Sequence, residues 1–330
     1  MKMILVPLDG SILSEQVLPY ASTLARLLEA RICLLRVVAE SEDNGLLADT
    51  IVATYGVGAP LAAQQARQAH SLELLNQNAE RYLESHAALL NAAGLDVVVD
   101  VRYGRAADVI VEAALNQHVA LIALASHGYS GLKRWALGSV ADNLVHATSI
   151  PVLIVRGTAP ARAPVISRII VPLDGSTLAR QALPLATELA RSAHAELLLL
   201  QAITPAIADY PSFPARDERL PQLGDALAAL RHQAASTLDA LAAELRTHEV
   251  DIRTRVVNGH AAEVLVDEAA QWDVDLIVMA THDYGGLRRW AMGSVADTLV
   301  HTSATPLILV RAQAHDLVSQ PHAAGRRGFD

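Results

Sequence analysis

One cysteine, Cys33, stands in 330 residues. No internal disulfide can form, and a reducing compartment, the cytoplasm, is the expected home. Aromatic residues are also scarce, at 4% of the chain. Packing must therefore come from Ala, Leu and Val, as in parallel sheets covered by helices. Basic excess is missing: 26 Lys and Arg face 35 Asp and Glu, a formal charge of −9. A nucleic-acid partner needs a basic stripe and is not expected. No apolar run approaches the ~20 residues that cross a bilayer. The opening MKMILVPLDGS meets an acidic turn too early for a secretory signal. Neither a membrane nor a nucleic acid is an expected partner.

What the chain does have is repetition. SHGYSGLKRWALGSVADNLVH, from Ser126, returns as THDYGGLRRWAMGSVADTLVH, from Thr281. Continued to Arg156 and Arg311, the two stretches agree at about 18 of 31 positions. Near the start, KMILVPLDGS is answered by RIIVPLDGS from Arg168, and YGRAADVIVEAA from Tyr103 by NGHAAEVLVDEAA from Asn258. Asp9 then matches Asp174 and Gly104 matches Gly259, so the first copy carries about ten extra residues in between. A composition of 52% hydrophobic and 18% charged residues supplies a large core, and the length suits about two domains. The expected division is a first domain over 1–157, a second over 166–312, and a loose polar tail over 313–330. RGTAPARAPVIS, 156–167, reads as the linker.

Each copy reads as strands alternating with helices. Apolar runs at Met3–Leu8 and Ile169–Leu173 end at Asp-Gly-Ser and lead into amphipathic helices over about 12–29 and 177–193. Buried strands follow at Arg31–Val38 and Glu196–Ile203, then a variable loop and a long Ala-rich helix. Strands at Asp96–Val101 and Asp251–Val257, helices from Ala106 and Ala261, and apolar strands at Val119–Ala125 and Asp275–Ala280 come next. PVLIVR and PLILVR close each copy. This alternation predicts an α/β fold of two repeated doubly wound parallel-sheet domains.

In such sheets ligands sit beyond the carboxyl ends of the strands, where the strand order reverses. Two segments per copy end strands in small polar residues there: Leu8-Asp9-Gly10-Ser11, and Ala125-Ser126-His127-Gly128 with Gly138-Ser139 ten residues on. Glycine lets backbone approach a ligand, a helix N-terminus favours phosphate, and a carboxylate suits a ribose hydroxyl. The same residues also allow a plainer reading, with Asp9 and Ser139 simply capping helices.

The spacing Ala125-x2-Gly128-x9-Gly138-Ser139, with Asp9 after the first strand, resembles the universal stress protein family. Its ATP-binding members carry Gly-x2-Gly-x9-Gly-[Ser/Thr] after the fourth strand. The resemblance spans both copies and implies an adenine-nucleotide alpha-hydrolase-like fold with the copies packed as a pseudo-dimer through PVLIVR and PLILVR. It also implies a nucleotide site of Pro7, Asp9, Val37, Ala125, Ser126, Gly128, Gly138, Ser139 and Val140. Asp9 would face ribose and adenine, Val37 the adenine edge, and Gly128, Gly138, Ser139 and Val140 the phosphates. The ligand implied is ATP, or ADP or AMP, with Mg²⁺ accompanying the phosphates. The second-copy equivalents are Asp174, Ala202, Ala280, Asp283, Gly293 and Ser294.

Two departures matter. Ala125 adds one methyl where ribose approaches. Asp283 puts a carboxylate where a glycine N–H should meet phosphate. Two unit charges ~4 Å apart repel by about 4 kcal/mol at an effective dielectric of 20, and half of that weakens binding more than tenfold. The first copy is therefore the expected ATP site and the second is expected to be weak or lost, unless a metal bridges Asp283 to phosphate.

Other residues carry plainer expectations. Lys133-Arg134 and Arg288-Arg289 either steer phosphate or form a solvated basic face. Trp135 and Trp290 read as packing residues. His127 and His282 lack metal-ligand companions at suitable spacing; His146 and His301 suit helix C-termini; Cys33 reads as inert core. VPLDGS is similar to the opening of haloacid-dehalogenase phosphatases, but Pro7 occupies the nucleophile's position. No P-loop, H-E-x-x-H or G-x-S-x-G motif occurs, and no base stands ready to activate water. The expectation is a stress-response regulator that binds ATP in its first domain, meets an unidentified protein partner and forms a homodimer. A nucleotide-free scaffold is one alternative. A slow ATPase or autophosphorylating protein, with Ser139 as the acceptor hydroxyl, is the other.

Overall fold

A computed structural model describes residues 1–39, 61–126, 138–156, 164–204, 220–282 and 293–312. The expected tail, 313–330, lies outside them. In the first half, β1 (Lys2–Pro7) leads through a short α1 (Ile12–Glu15) into α2 (Leu18–Leu27), then β2 (Ala30–Val38). The long α3 (Leu61–Ala92), β3 (Val97–Tyr103), α4 (Ala106–Asn116), β4 (Leu121–Ser126), α5 (Ser139–Ala147) and β5 (Val152–Arg156) follow. The second half repeats the order. It runs through β6 (Arg168–Pro172), α6 (Leu183–Ala193), β7 (Glu196–Ile203), α7 (Leu220–Leu245), β8 (Asp251–Asn258), α8 (Ala261–Gln271), β9 (Leu276–His282), α9 (Ser294–Thr302) and β10 (Leu307–Ala312).

The helix expected over 12–29 is broken at Gln16–Val17, and its repeat opens with a 3-10 turn, Ala179–Ala182. Pro19 and Pro184 explain both breaks. Proline lacks the N–H that a helix interior requires and is tolerated in the first turn, where each stands.

The strands form one ten-stranded sheet in the order β3-β2-β1-β4-β5-β10-β9-β6-β7-β8. Every neighbouring pair is parallel except β5 and β10, which meet antiparallel at the centre with Leu153 opposite Ile308. The two closing strands are thus the joint between the halves. Leu153 and Ile308 are both wholly buried, so hydrophobic transfer as well as ladder bonding holds the halves together.

Two apolar layers sandwich the sheet. One contains Leu24, Leu83, Leu189 and Leu241 under α2, α3, α6 and α7. The other contains Ile110, Leu144, Leu265 and Leu299 under α4, α5, α8 and α9. Each layer crosses from one half to the other. In each half the chain reverses its direction of travel across the sheet between its first and fourth strands, β1/β4 and β6/β9. Both crevices therefore open at carboxyl ends of strands.

Candidate functional site

In the first crevice β1 delivers Pro7, Leu8 and Asp9. The Leu8 N–H donates to the Leu35 carbonyl at 2.8 Å, fixing the strand end. The chain then turns sharply. Ser11 donates to Asp9 Oδ1 through both its N–H, at 2.9 Å, and its hydroxyl, at 2.6 Å. Ser11 Oγ also accepts from the Ser14 N–H at 3.1 Å and so caps α1. Burial pushes the Asp9 carboxyl up. The Ser11 hydroxyl and N–H, the Ser14 hydroxyl and the Arg36 charge together outweigh it, holding the group below its ordinary 3.8. Asp9 is a persistent anion, an acceptor only. It does not cap the helix; Ser11 does.

From β4 come Ala125 and Ser126. Ser126 is 3% exposed, and its Oγ has no hydrogen-bond partner among the described residues. A buried hydroxyl left unpaired costs about 1–3 kcal/mol, so Ser126 Oγ calls for a partner from beyond the described residues. Across from it, α5 begins at Gly138 with no side-chain cap bond. Its first turn therefore keeps free N–H groups, beside Ser139 and Val140. Ser139 does not cap; it is the first helical residue.

These residues line one cleft of about 270 Å³ that opens to solvent, close to the lower end of small-molecule sites. Pro7, Asp9, Val37, Ala125, Ser126, Gly138, Ser139 and Val140 all contribute to its wall. Gly128 lies outside the described residues, as do His127, Lys133, Arg134 and Trp135, and loop 40–60. Sequence reasoning missed the apolar wall that Ala106 and Ile110 of α4 build with Leu35 of β2 and Leu124 of β4. A signal for it existed. Gly104 precedes α4 with φ +130°, and a Cβ there would lie 3.0 Å from Val109; Gly259 repeats the arrangement at φ +145° and 2.8 Å from Val264. Only glycine takes that turn without strain, and the turn aims α4 at the crevice.

The second crevice retains a cleft of about 200 Å³ lined by Asp174, Ala202, Ala280, Gly293 and Ser294. Ala202 stands where the first half has Val37, Ala179 where it has Ser14, and Thr281 where it has Ser126. Asp174 accepts from the Ser176 N–H at 2.9 Å, repeating the first turn. Gly293 has φ −56°, open to any residue, and a Cβ built on it would meet nothing within 4 Å. Neither backbone nor packing demands glycine there. Asp283, Arg288, Arg289 and Trp290 lie outside the described residues.

A family model described as the universal stress protein family matches the chain twice, over residues 1–156 and 166–311. The chain belongs to the universal stress protein family. It has the tandem two-domain form. A universal stress protein of Mycolicibacterium smegmatis is 26% identical over 314 residues, covering 93% of this chain and 96% of that protein. A universal stress protein of Bacillus subtilis is 24% identical over 147 residues, 44% of this chain but 99% of its own length. Among solved structures, a universal stress protein from Archaeoglobus fulgidus superposes with a TM-score of 0.67 at 19% identity, covering 94% of this chain and 98% of that one.

The remaining sequence-derived residues of this universal stress protein fall into place around the crevices without entering them. His146 and His301 close α5 and α9, each Nδ1 lying 2.7 Å from the carbonyl oxygen four residues earlier, of Asp142 and Asp297. Cys33 is buried in β2; burial, then the Asp100 charge, pushes its thiol up to about 12. Among the described residues no three His, Cys, Asp or Glu side chains gather as a metal site, and no helix is long and apolar enough to cross a membrane.

Proposed function

We propose that this universal stress protein binds an adenine nucleotide, ATP foremost, in the crevice of its first half and uses it as a regulatory ligand. One observation carries the reading: the uncapped first turn of α5 lines the same cleft as Asp9, and Ser126, whose buried hydroxyl has no partner among the described residues, stands in its wall. Free helix N–H groups and an unsatisfied hydroxyl suit phosphate oxygens. At the other end the Asp9 carboxylate suits ribose hydroxyls, since it only accepts. Val37, Leu35 and Ile110 offer the apolar walls that a purine ring needs. Mg²⁺ enters with the phosphates and neutralises part of their charge.

The first half is favoured over the second by sequence. Gly128 leaves room for phosphate, whereas Asp283 brings a like charge to the matching position. Regulation rather than turnover fits the wall, in which Asp9 is the one titratable side chain among the described lining residues and already accepts two bonds from Ser11. Within this proposal the protein acts in the cytoplasm through a protein partner that reads the nucleotide-bound surface.

Calorimetric titration of the full chain with ATP, ADP and AMP in Mg²⁺ tests the reading. One ATP per chain is expected, abolished by Gly128→Asp and weakened about tenfold by Ser126→Ala. Two equivalent sites would overturn the assignment to the first half. No heat with any nucleotide, in protein verified ligand-free, would favour a nucleotide-free scaffold.

A further inference from the structure

We propose that the two crevices are coupled, through a reciprocal pair of arginines that crosses the central joint. Arg156, the last residue of β5, donates from Nη1 to the Val300 carbonyl at 2.8 Å. Arg311, its counterpart in β10, donates from Nη1 to the His146 carbonyl. Each arginine thus grips the C-terminal end of the opposite half's crevice helix, α9 or α5. These are the helices whose N-terminal residues, Ser294 and Ser139, line the two clefts.

The other end of each grip is just as specific. Arg156 pairs in register with Ser126 of β4, and Arg311 with Thr281 of β9. Ser126 lines the first cleft and Thr281 the second. A path of contacts therefore runs from the first cleft along α5, across Arg311 to β10 and Thr281. A mirror path runs from Ser126 through Arg156 and along α9 to Ser294. Each helix has nine residues, so about 13 Å separates the N–H groups at the cleft from the gripped carbonyl. A helix that short moves as one body. A ligand that draws in the N-terminus of α5 must carry the His146 carbonyl with it, and with that carbonyl Arg311. A cation at a helix C-terminus also meets the negative end of the helix dipole, and its hydrogen bonds are stronger than neutral ones, so the grip transmits displacement of the helix.

This coupling rests on nucleotide binding in the first half, and it makes the second half a responder. Linkage makes the effect mutual, so any ligand of the second cleft would act back on the first. The second half need not bind nucleotide to play this part.

Hydrogen exchange of the full chain, with and without saturating ATP and Mg²⁺, tests the coupling in wild type and in Arg311→Met, which keeps an apolar stem and removes the donors. In wild type, ATP is expected to slow exchange in α5 and to change exchange in β9, β10 and α9 by about fivefold or more. In Arg311→Met the α5 response should persist while the response of β9 and β10 is lost, the α9 response being carried by Arg156. A wild-type response confined to the first half overturns the coupling and leaves nucleotide binding standing. A β9 and β10 response that survives Arg311→Met overturns this route. No response in either half overturns both proposals. Should Arg311→Met fail to fold, Arg156→Met tests the mirror path: the α9 response should be lost while that of β9 and β10 persists, and an α9 response that survives overturns that path.

Discussion

Arg156 reaches 2.8 Å across the centre of the molecule to the backbone carbonyl of Val300. The bond joins a strand of one half to a helix end of the other, and Arg311 returns it to His146. Two halves that share a sheet are therefore also tied above it. Arg156→Met is expected to destabilise the whole chain by about 1.5–3 kcal/mol, the range for hydrogen bonds to charged groups. Urea unfolding should retain one transition with a lower midpoint; a separate early transition of one half would show that the bond holds the halves together rather than stabilising both.

Ile308 faces Leu153 across the antiparallel joint, and both are wholly buried. Ile308→Ala removes buried methyl groups where neighbours on both strands are fixed by ladder bonds. The expected loss is about 2–5 kcal/mol, read from thermal or denaturant unfolding. A loss under 1 kcal/mol would mean that the joint repacks freely.

Asp9 is held as a carboxylate by Ser11, Ser14 and Arg36 against the opposing pull of burial. Its folded value lies below the ordinary 3.8. A depressed carboxyl contributes stability above its unfolded value and loses that contribution as pH falls through the folded one. Asp9→Asn should therefore melt lower than wild type at pH 7, and the gap should close below pH 3.8. A gap that widens on acidification would reverse the sign argued here.

Cys33 has the opposite linkage. With its thiol raised from 9.0 to about 12 by burial first and Asp100 second, the folded chain keeps a proton that the unfolded chain gives up. Its stability contribution is intact below pH 9.0 and drains away towards about pH 12. Native protein should resist thiol reagents at pH 8 and react stoichiometrically once denatured, which a colorimetric thiol assay reads. Rapid native labelling would place Cys33 outside the core.

The repeat, the alternating periodicities and the glycine spacing were enough to specify two α/β copies and the segments that meet at their crevices. Periodicity and turn chemistry are local, so a sequence displays them openly. Pro19 and Pro184 also carried their message locally, and the breaks at both helix starts follow from the missing N–H. Three matters were decided only by the fold. Ala106 and Ile110 are ordinary residues of an amphipathic helix until Gly104 turns α4 onto the first crevice. Ser126 is one small polar residue among many until burial strips its hydroxyl of every described partner. Arg156 and Arg311 end two strands in sequence, with nothing to name their targets, because the carbonyls they grip lie 144 and 165 positions away. Such contacts arise only when strands far apart in the chain are brought side by side, and that is the work of the shared sheet.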